Sequence, residues 1–187
     1  MNCEKAQVLI IHGPVGSGKT SSAKEVAEKA VSMGYSVFGL LSLRVIQECE
    51  TVGYNALNLK NGVSFSLVRL RSLTDSDDWE KIGNWKFSFS KEGFKKANEI
   101  LSSAVHEHSK RKIIVIDEFG HIELLGRGIY QGFKEAINSI NEGNKVVILC
   151  RTDKLERVRK LLNYDIQVVI IASSDPMFLE KVTDRFI

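Results

Sequence analysis

The distribution of apolar and polar positions along the chain predicts a parallel β-sheet. Four short runs are rich in Val and Ile and have the length of strands that are buried on both faces. They are Val8–His12, Lys112–Asp117, Lys145–Arg151 and Ile166–Ala172. Segments with helical spacing of apolar residues separate most of these runs, which is the pattern of strands joined by helices. We therefore expect an α/β fold with a mainly parallel sheet, covered by helices on both faces.

Four helices are predicted from the spacing of apolar residues and from residues that begin or end helices. They are Thr20–Met33, Tyr130–Asn141, Asp153–Leu162 and Asp175–Asp184. The first two are followed by Gly34 and Gly143, and glycine often ends a helix. The last two begin with an aspartate, a residue suited to cap a helix N-terminus.

The segment from residue 36 to residue 90 has a different pattern. It contains strand-like runs at Val37–Leu43, Tyr54–Leu59, Val63–Leu70 and Lys86–Phe89, and a polar loop at Leu73–Asn84. Asn61-Gly62 predicts a tight turn, and hence an antiparallel hairpin. We expect this segment to be a β-rich insertion in a single domain that spans residues 1–187.

The glycine-rich segment after the first strand has the chemistry of a phosphate-binding loop. Residues 13–20, GPVGSGKT, match the pattern GxxxxGK[ST] between a strand and a helix. Glycines let backbone N–H groups approach phosphate oxygens, Lys19 can reach the β- and γ-phosphates, and the Thr20 hydroxyl can bind Mg²⁺. The expected binding residues are Gly13, Pro14, Val15, Gly16, Ser17, Gly18, Lys19 and Thr20. A glycine-rich turn with an accidental Lys-Thr pair is the alternative, and the strand and helix around the motif disfavour it.

Two carboxylates, Asp117 and Glu118, follow the second apolar run. Ligands of open α/β sheets bind beyond the carboxyl ends of the strands, so both acids should lie near the phosphates. Asp117 would hold Mg²⁺, directly or through water, and Glu118 would take a proton from the attacking water. If the strand is still extended there, the two side chains point to opposite faces. Acids that cap a turn are the alternative, which the presence of the phosphate loop disfavours.

The two motifs are separated by a wide interval. Thr20 and Asp117 are 97 positions apart, which leaves room for at least one more sheet strand between the two motif strands. With a Glu directly after the Asp, this arrangement is typical of the additional-strand, catalytic-glutamate division of P-loop NTPases. That assignment agrees with the expected α/β fold.

Several segments, in order, resemble the small nucleoside-triphosphatases of the THEP type. Residues 13–20 match the loop of that family, and Val37–Leu41 followed by Gly53-Tyr54-Asn55 is similar to its second strand and "GFD" stretch. Residues 115–124, VIDEFGHIEL, resemble its "VIDEIGxMEL". The resemblance implies slow hydrolysis of ATP, GTP and other nucleoside triphosphates, with loose base choice. Leu43-Arg44 is a departure, because family members often carry a Glu-Glu pair there.

Three further charged residues are candidates for the site. Glu123 could orient water, or it could cap the next helix. Arg127 and Arg151 are alternative cations for the charge on the transferring phosphoryl group, although taken singly each is more readily explained as a surface arginine.

Base recognition has only weak signals. The aromatic residues Trp79, Trp85, Phe87 and Phe89 could stack on a base, although packing of the inserted strands explains at least the two phenylalanines more simply. Residues 151–154, RTDK, superficially resemble the NKxD motif that recognises guanine, but the residue order is wrong. No guanine specificity is expected.

Composition excludes several classes of protein. The net charge of +3 is small, and Lys and Arg are scattered among 23 acidic residues, so nucleic-acid binding is not expected. The three cysteines are far apart and form no CxxC pair, which argues against a disulfide framework or a zinc site. No apolar signal core and no run of roughly 20 apolar residues occurs, so we expect a cytoplasmic protein without a membrane span.

Three functions are compatible with these motifs. The first is an Mg²⁺-dependent nucleoside-triphosphatase that uses water as the acceptor. The second is a nucleotide or nucleoside kinase, which Glu118 and the lack of an arginine-rich lid disfavour. The third is a nucleotide-dependent switch or binding module whose partner surface would be the segment 36–90. The sequence identifies no protein partner.

Overall fold

A computed structural model describes residues 5–187. The strands are β1 (Val8–Gly13), β2 (Ser36–Gln47), β3 (Glu50–Asn58), β4 (Ser64–Leu70), β5 (Trp79–Lys81), β6 (Phe87–Ser90), β7 (Lys112–Ile116), β8 (Lys145–Arg151) and β9 (Val168–Ala172). The α-helices are α1 (Lys19–Ser32), α2 (Lys91–His106), α3 (Tyr130–Asn138), α4 (Leu155–Arg159) and α5 (Phe178–Arg185).

The strands form one sheet in the order β5-β6-β4-β3-β2-β7-β8-β1-β9. Strands β2, β7, β8, β1 and β9 are parallel to one another. Strands β3, β4, β6 and β5 continue the sheet from β2 in antiparallel pairs. The predicted α/β fold is confirmed, and the β-rich segment 36–90 extends the main sheet.

Strand β8 lies between β1 and β7, so the expected additional strand is present. It does not come from the 97 positions between Thr20 and Asp117, however, because Lys145–Arg151 follows both of them along the chain. The chain forms β7 first and then passes through α3 before it adds β8 between β7 and β1.

Helices cover both faces of the sheet and create two apolar cores. Val8 and Ile10 of β1 pack in the core that includes residues of α2, α3 and α4. Leu9 and Ile11 pack in the other core, with residues of α1 and α5. Because both faces are buried, the central strands are apolar throughout rather than alternating, which is why they were recognisable in the sequence.

The predicted bounds of β1, β7 and β8 hold to within one residue, whereas the starts of the last two helices do not. Strand β8 has its predicted bounds, and β7 ends one residue early, at Ile116. Neither predicted aspartate caps its helix. Asp153 lies in a 3₁₀ turn and pairs with Arg151, and Asp175 accepts the N–H of Met177 before α5 begins. These local partners satisfy the carboxylates, and the helices therefore begin later.

Helix α2 was not predicted. Its buried residues are Gly93, Ala97, Leu101, Ala104 and Val105. The Ser90 hydroxyl caps the helix by accepting the N–H of Gly93 at 2.8 Å. The predicted loop Leu73–Asn84 was also partly wrong, because it contains β5, which pairs with β6.

The hairpin between β2 and β3 was missing from the sequence prediction. Its two turn residues, Glu48 and Cys49, have positive φ angles of 48° and 65°. Such turns usually contain Asn-Gly or Asp-Gly, so Glu-Cys gave no signal. As a result, β2 runs four residues beyond the predicted end at Leu43, to Gln47.

The described cysteines are free thiols. Cys49 is exposed and Cys150 is buried, whereas Cys3 lies outside the described residues. Burial raises the pKa of Cys150 to about 11, so this thiol stays protonated at neutral pH. Within residues 5–187, no cluster of three His, Cys, Asp or Glu residues could hold a metal ion, and no helix is long and apolar enough to cross a membrane.

Candidate active site

The phosphate loop joins β1 to α1 in a shape that depends on its glycines. Gly16 and Gly18 have φ angles of 77° and 85°, in the left-handed region that glycine adopts without strain. Gly13 has no space for a side chain, because a Cβ atom there would lie 2.2 Å from the Ser17 Oγ. The loop therefore keeps its backbone free of side chains where a phosphate would approach.

Lys19 lies over this loop. It is buried, and its Nζ donates hydrogen bonds to the carbonyl oxygens of Pro14 at 2.8 Å and Gly13 at 3.2 Å. Its positive charge is thus held within the curve of the loop, together with the N-terminus of α1. Both features favour an anion at this position.

Ser173, which follows β9, also supports the loop. Its Oγ lies 2.8 Å from the Ser17 Oγ and donates to the Ser17 carbonyl oxygen at 3.1 Å. Ser173 was not predicted from the sequence. It lies 156 positions after Ser17, and no motif joins the two residues.

Asp117 connects three elements at the carboxyl edge of the sheet. Its Oδ2 accepts hydrogen bonds from the Thr20 hydroxyl and from the Ser42 N–H, each at 2.9 Å. Its Oδ1 is buried and has no hydrogen-bond partner within residues 5–187. Burial raises the pKa of Asp117 to about 7, and the nearby charge of Glu118 adds to this effect. Because a buried carboxylate is stabilised by a cation and Mg²⁺ prefers oxygen ligands, Thr20 and Asp117 fit this ion.

Glu118 has an unusual backbone conformation. Its φ angle is 64°, in the left-handed region, which costs a non-glycine residue about 1–3 kcal/mol. Strand β7 has already ended at Ile116, so the expectation that Asp117 and Glu118 alternate as in an extended strand does not apply. The turn leaves Asp117 buried and Glu118 exposed in the cleft beside the phosphate loop.

The cleft beside the loop is a cavity of about 310 Å³. Its lining combines the loop, the start of α1 and the end of β2, and includes Ser42, Arg44, Tyr54 and Glu118. Burial raises the pKa of Tyr54, and the Glu118 carboxylate raises it further, whereas Arg44 lowers it. The cleft therefore brings one acid, one cation and a phenol to the phosphate loop.

Arg44 is the arginine beside the phosphate loop. A Cβ atom on Gly16 would lie 3.5 Å from its Nη2. The two arginines that the sequence suggested do not line this cleft. Arg127 pairs with Glu80, and Arg151 binds Asp153 at 2.9 and 3.0 Å. Arg44 could have been recognised from the sequence only if the β2–β3 hairpin had been predicted, because Arg44 lies in the part of β2 that leads into it.

Glu123 is buried inside the loop that follows β7. Its Oε2 accepts the N–H of Gly120 at 3.0 Å, and its Oε1 accepts the N–H of Ile129, just before α3, at 3.4 Å. Burial raises its pKa to about 7. The side chain thus ties the loop together and contacts the start of α3.

Comparisons with known proteins agree with this architecture. The model of a family described as NTPase matches residues 8–180. Among solved structures, the chain is similar to a human cancer-related nucleoside triphosphatase, with 19% identity, a TM-score of 0.68 and coverage of 96% of each chain. It is also similar to THEP1 from the hyperthermophile Aquifex aeolicus, with 20% identity, a TM-score of 0.70 and coverage of 95% of this chain and 98% of that one. No curated protein gave a significant sequence match. At these identities, the two structural likenesses establish the fold.

Proposed function

Because the chain belongs to the NTPase family, we propose that this NTP-hydrolysing enzyme cleaves ATP, GTP and other nucleoside 5′-triphosphates to the diphosphate and phosphate, with Mg²⁺ as cofactor. The family match and the two similar structures confirm the resemblance to THEP-type nucleoside-triphosphatases. The observation that carries the proposal is that the phosphate loop, Thr20 and Glu118 line one cleft, with Asp117 hydrogen-bonded to Thr20.

Binding of the triphosphate is assigned to residues 13–20. The N–H groups of the loop and the α1 N-terminus would surround the phosphate oxygens, and Lys19 would exchange its contacts with Gly13 and Pro14 for contacts with the β- and γ-phosphates. Thr20 and Asp117 would hold Mg²⁺, which, when bound, neutralises charge on those phosphates. The unpartnered Asp117 Oδ1 supports this assignment.

The chemical step is assigned to Glu118. Its carboxylate reaches the cleft because the backbone turns at this residue, and a strained backbone that persists in a cleft supports a functional role. We propose that Glu118 takes the proton from a water that attacks the γ-phosphorus. Arg44 faces the same cleft and would stabilise the charge that develops on the transferring group.

Arg44→Ala should lower kcat by about 10- to 100-fold, because the substitution removes a charge that acts on the transition state. Arg44→Lys should recover part of this loss. Arg127→Ala is the matched control, since Arg127 pairs with Glu80 and does not line the cleft. Steady-state phosphate release by the three variants tests the assignment. Equal rates in Arg44→Ala and the parent enzyme would show that this cation is not used.

ATP and GTP should be hydrolysed with kcat/KM values within about tenfold of each other, or about 1.4 kcal/mol. The reason is that residues 151–154 do not have the order of a guanine-recognition motif, and the chemistry of the phosphate loop is directed at phosphates rather than at the base. Competition between the two nucleotides in one reaction measures this ratio directly. A preference of several orders of magnitude for one base would contradict broad specificity.

A further inference from the structure

A second cavity, which we call the aromatic cavity, adjoins the phosphate-loop cleft. It has a volume of about 250 Å³ and is lined by β2, β3, β4, β6, the start of α2 and the loop after β7. The two cavities share Ser42, Tyr54 and Glu118, but the phosphate loop itself does not line the aromatic cavity. Any molecule in this cavity would therefore meet the triphosphate site at Glu118.

The walls of the aromatic cavity suit a planar ring. They contain Tyr54, Trp85, Phe87, Phe89, Phe94 and His121. Several rings meet edge to face, with centroids 6.1 Å apart for Tyr54–Phe87 and 5.7 Å apart for Trp85–Phe89. Trp85 and Phe87 are only half-buried, so apolar surface remains in contact with water, and a bound ring would cover it.

The polar groups indicate a neutral ligand with a hydroxyl group. Ser42, Asp117 and Glu118 lie on the side of the aromatic cavity that borders the phosphate-loop cleft. Arg151 and Lys154 also contribute to the lining, and both pair with the single carboxylate of Asp153, which offsets one of their two charges. A hydroxyl group can donate to a carboxylate at this end, whereas a second anion would be repelled by it.

The position of the aromatic cavity places it at the γ-phosphate end of a bound nucleotide. Lys19 contacts the β- and γ-phosphates in loops of this type, and the acids after the neighbouring strand lie beside the γ-phosphate. The base lies at the other end of the triphosphate. A ligand that reaches Glu118 from the aromatic cavity would thus approach the phosphorus that reacts.

We propose that the aromatic cavity binds a neutral, planar aromatic alcohol, whose hydroxyl accepts the γ-phosphoryl group in place of water. The inference rests on the proposed function, because it uses the same triphosphate site. The alcohol oxygen forms a bond to the γ-phosphorus, and the bond from that phosphorus to the β–γ bridging oxygen breaks. The nucleoside diphosphate leaves with the electron pair, Glu118 takes the hydroxyl proton, and a phosphate monoester is formed. Water takes the place of the alcohol when the cavity is empty.

The test uses ATP labelled at the γ-phosphate and a panel of neutral ring alcohols. The panel contains adenosine, guanosine, cytidine, thymidine, benzyl alcohol and a hydroxymethylpyrimidine, with glycerol as the control that lacks a ring. At least one ring alcohol should yield a labelled monoester and raise ATP consumption above the rate with water alone. If ATP is hydrolysed but no ring alcohol is labelled, the acceptor site is wrong and hydrolysis stands. If ATP is not consumed at all, the proposed function fails, and the acceptor site fails with it.

Two matched substitutions test whether the transfer of the γ-phosphoryl group to the alcohol takes place in the aromatic cavity. Val68 lines the cavity, whereas Val63 is exposed in the turn before β4. Val68→Phe should reduce transfer to the labelled acceptor by at least about tenfold and leave hydrolysis within about twofold of the parent rate. Val63→Phe should change neither rate. If Val68→Phe raises the KM for ATP without an acceptor, the cavity holds the base of the nucleotide and the acceptor proposal is overturned.

A variant that enlarges the cavity keeps the test valid if Val68→Phe does not fold. Phe87→Ala removes a ring from the half-buried side of the lining. It should raise the KM for the acceptor about tenfold, without an equal rise in the KM for ATP. An unchanged KM for the acceptor would contradict its binding in this cavity.

Discussion

Glu118→Gln should slow the hydrolysis step by about 10²–10⁴-fold, the usual effect of removing a positioned proton acceptor. The substitution keeps the size of the side chain and its ability to hydrogen-bond, but the amide cannot take a proton from water. Nucleotide affinity should change little, because the phosphate loop and the Thr20–Asp117 hydrogen bond stay intact. Single-turnover hydrolysis and nucleotide affinity, measured on the same sample, separate the two effects.

Two further variants make this result specific to Glu118. Asp117→Asn should weaken nucleotide binding and Mg²⁺ dependence together, because it changes the proposed metal ligand rather than the base. Glu25→Gln, on the exposed side of α1, makes the same chemical change away from the cleft and should have no effect. If Glu118→Gln hydrolyses at nearly the parent rate, Glu118 is a structural residue and the base lies elsewhere. Glu123 would then be the next carboxylate to test.

Lys19→Ala should remove about 2–4 kcal/mol of transition-state stabilisation, since charge-assisted contacts to the β- and γ-phosphates are lost. The corresponding fall in kcat/KM is roughly 30- to 1000-fold. Within residues 5–187, the Lys19 ammonium donates only to the Gly13 and Pro14 carbonyl oxygens of its own loop, so the fold should persist. Phosphate release and thermal unfolding of the purified variant measure the two outcomes.

Lys24→Ala is the matched control for this substitution, because Lys24 is exposed on the same helix and does not line the cleft. It removes the same charge from the protein without touching the phosphate loop. If phosphate release by Lys19→Ala equals that by Lys24→Ala, the assignment of residues 13–20 as the triphosphate site is wrong.

The central part of the fold could be predicted because its signals are local. Strands β1, β7 and β8 are buried on both faces, and each is a continuous apolar run in the sequence. The phosphate loop has a fixed spacing of glycines, lysine and threonine, and two of its glycines do adopt the left-handed conformation that the pattern requires. Asp117 was recognisable because it follows an apolar strand.

The remaining features depend on pairing between distant segments. No local sequence pattern marks Arg44 as a site residue. It lies beyond the predicted end of β2, and it reaches the cleft because β2 continues to the hairpin at Glu48-Cys49. Ser173 supports the phosphate loop from the end of another strand. The sequence favoured packing as the role of Phe87 and Phe89, and their rings do contact Tyr54 and Trp85. That these contacts enclose a cavity beside Glu118 follows from the sheet order, which no local pattern encodes.

The position of β8 has a consequence for the assembly of the enzyme during synthesis. The phosphate loop leaves the ribosome first and Asp117 follows, but their strands, β1 and β7, do not pair with each other. Strand β8, which is made last of the three, hydrogen-bonds to both and sets the distance between them. A nascent chain that stops before Lys145 carries both motifs and lacks the strand that joins them. We therefore expect the two motifs to reach their relative positions only once β8 has been synthesised.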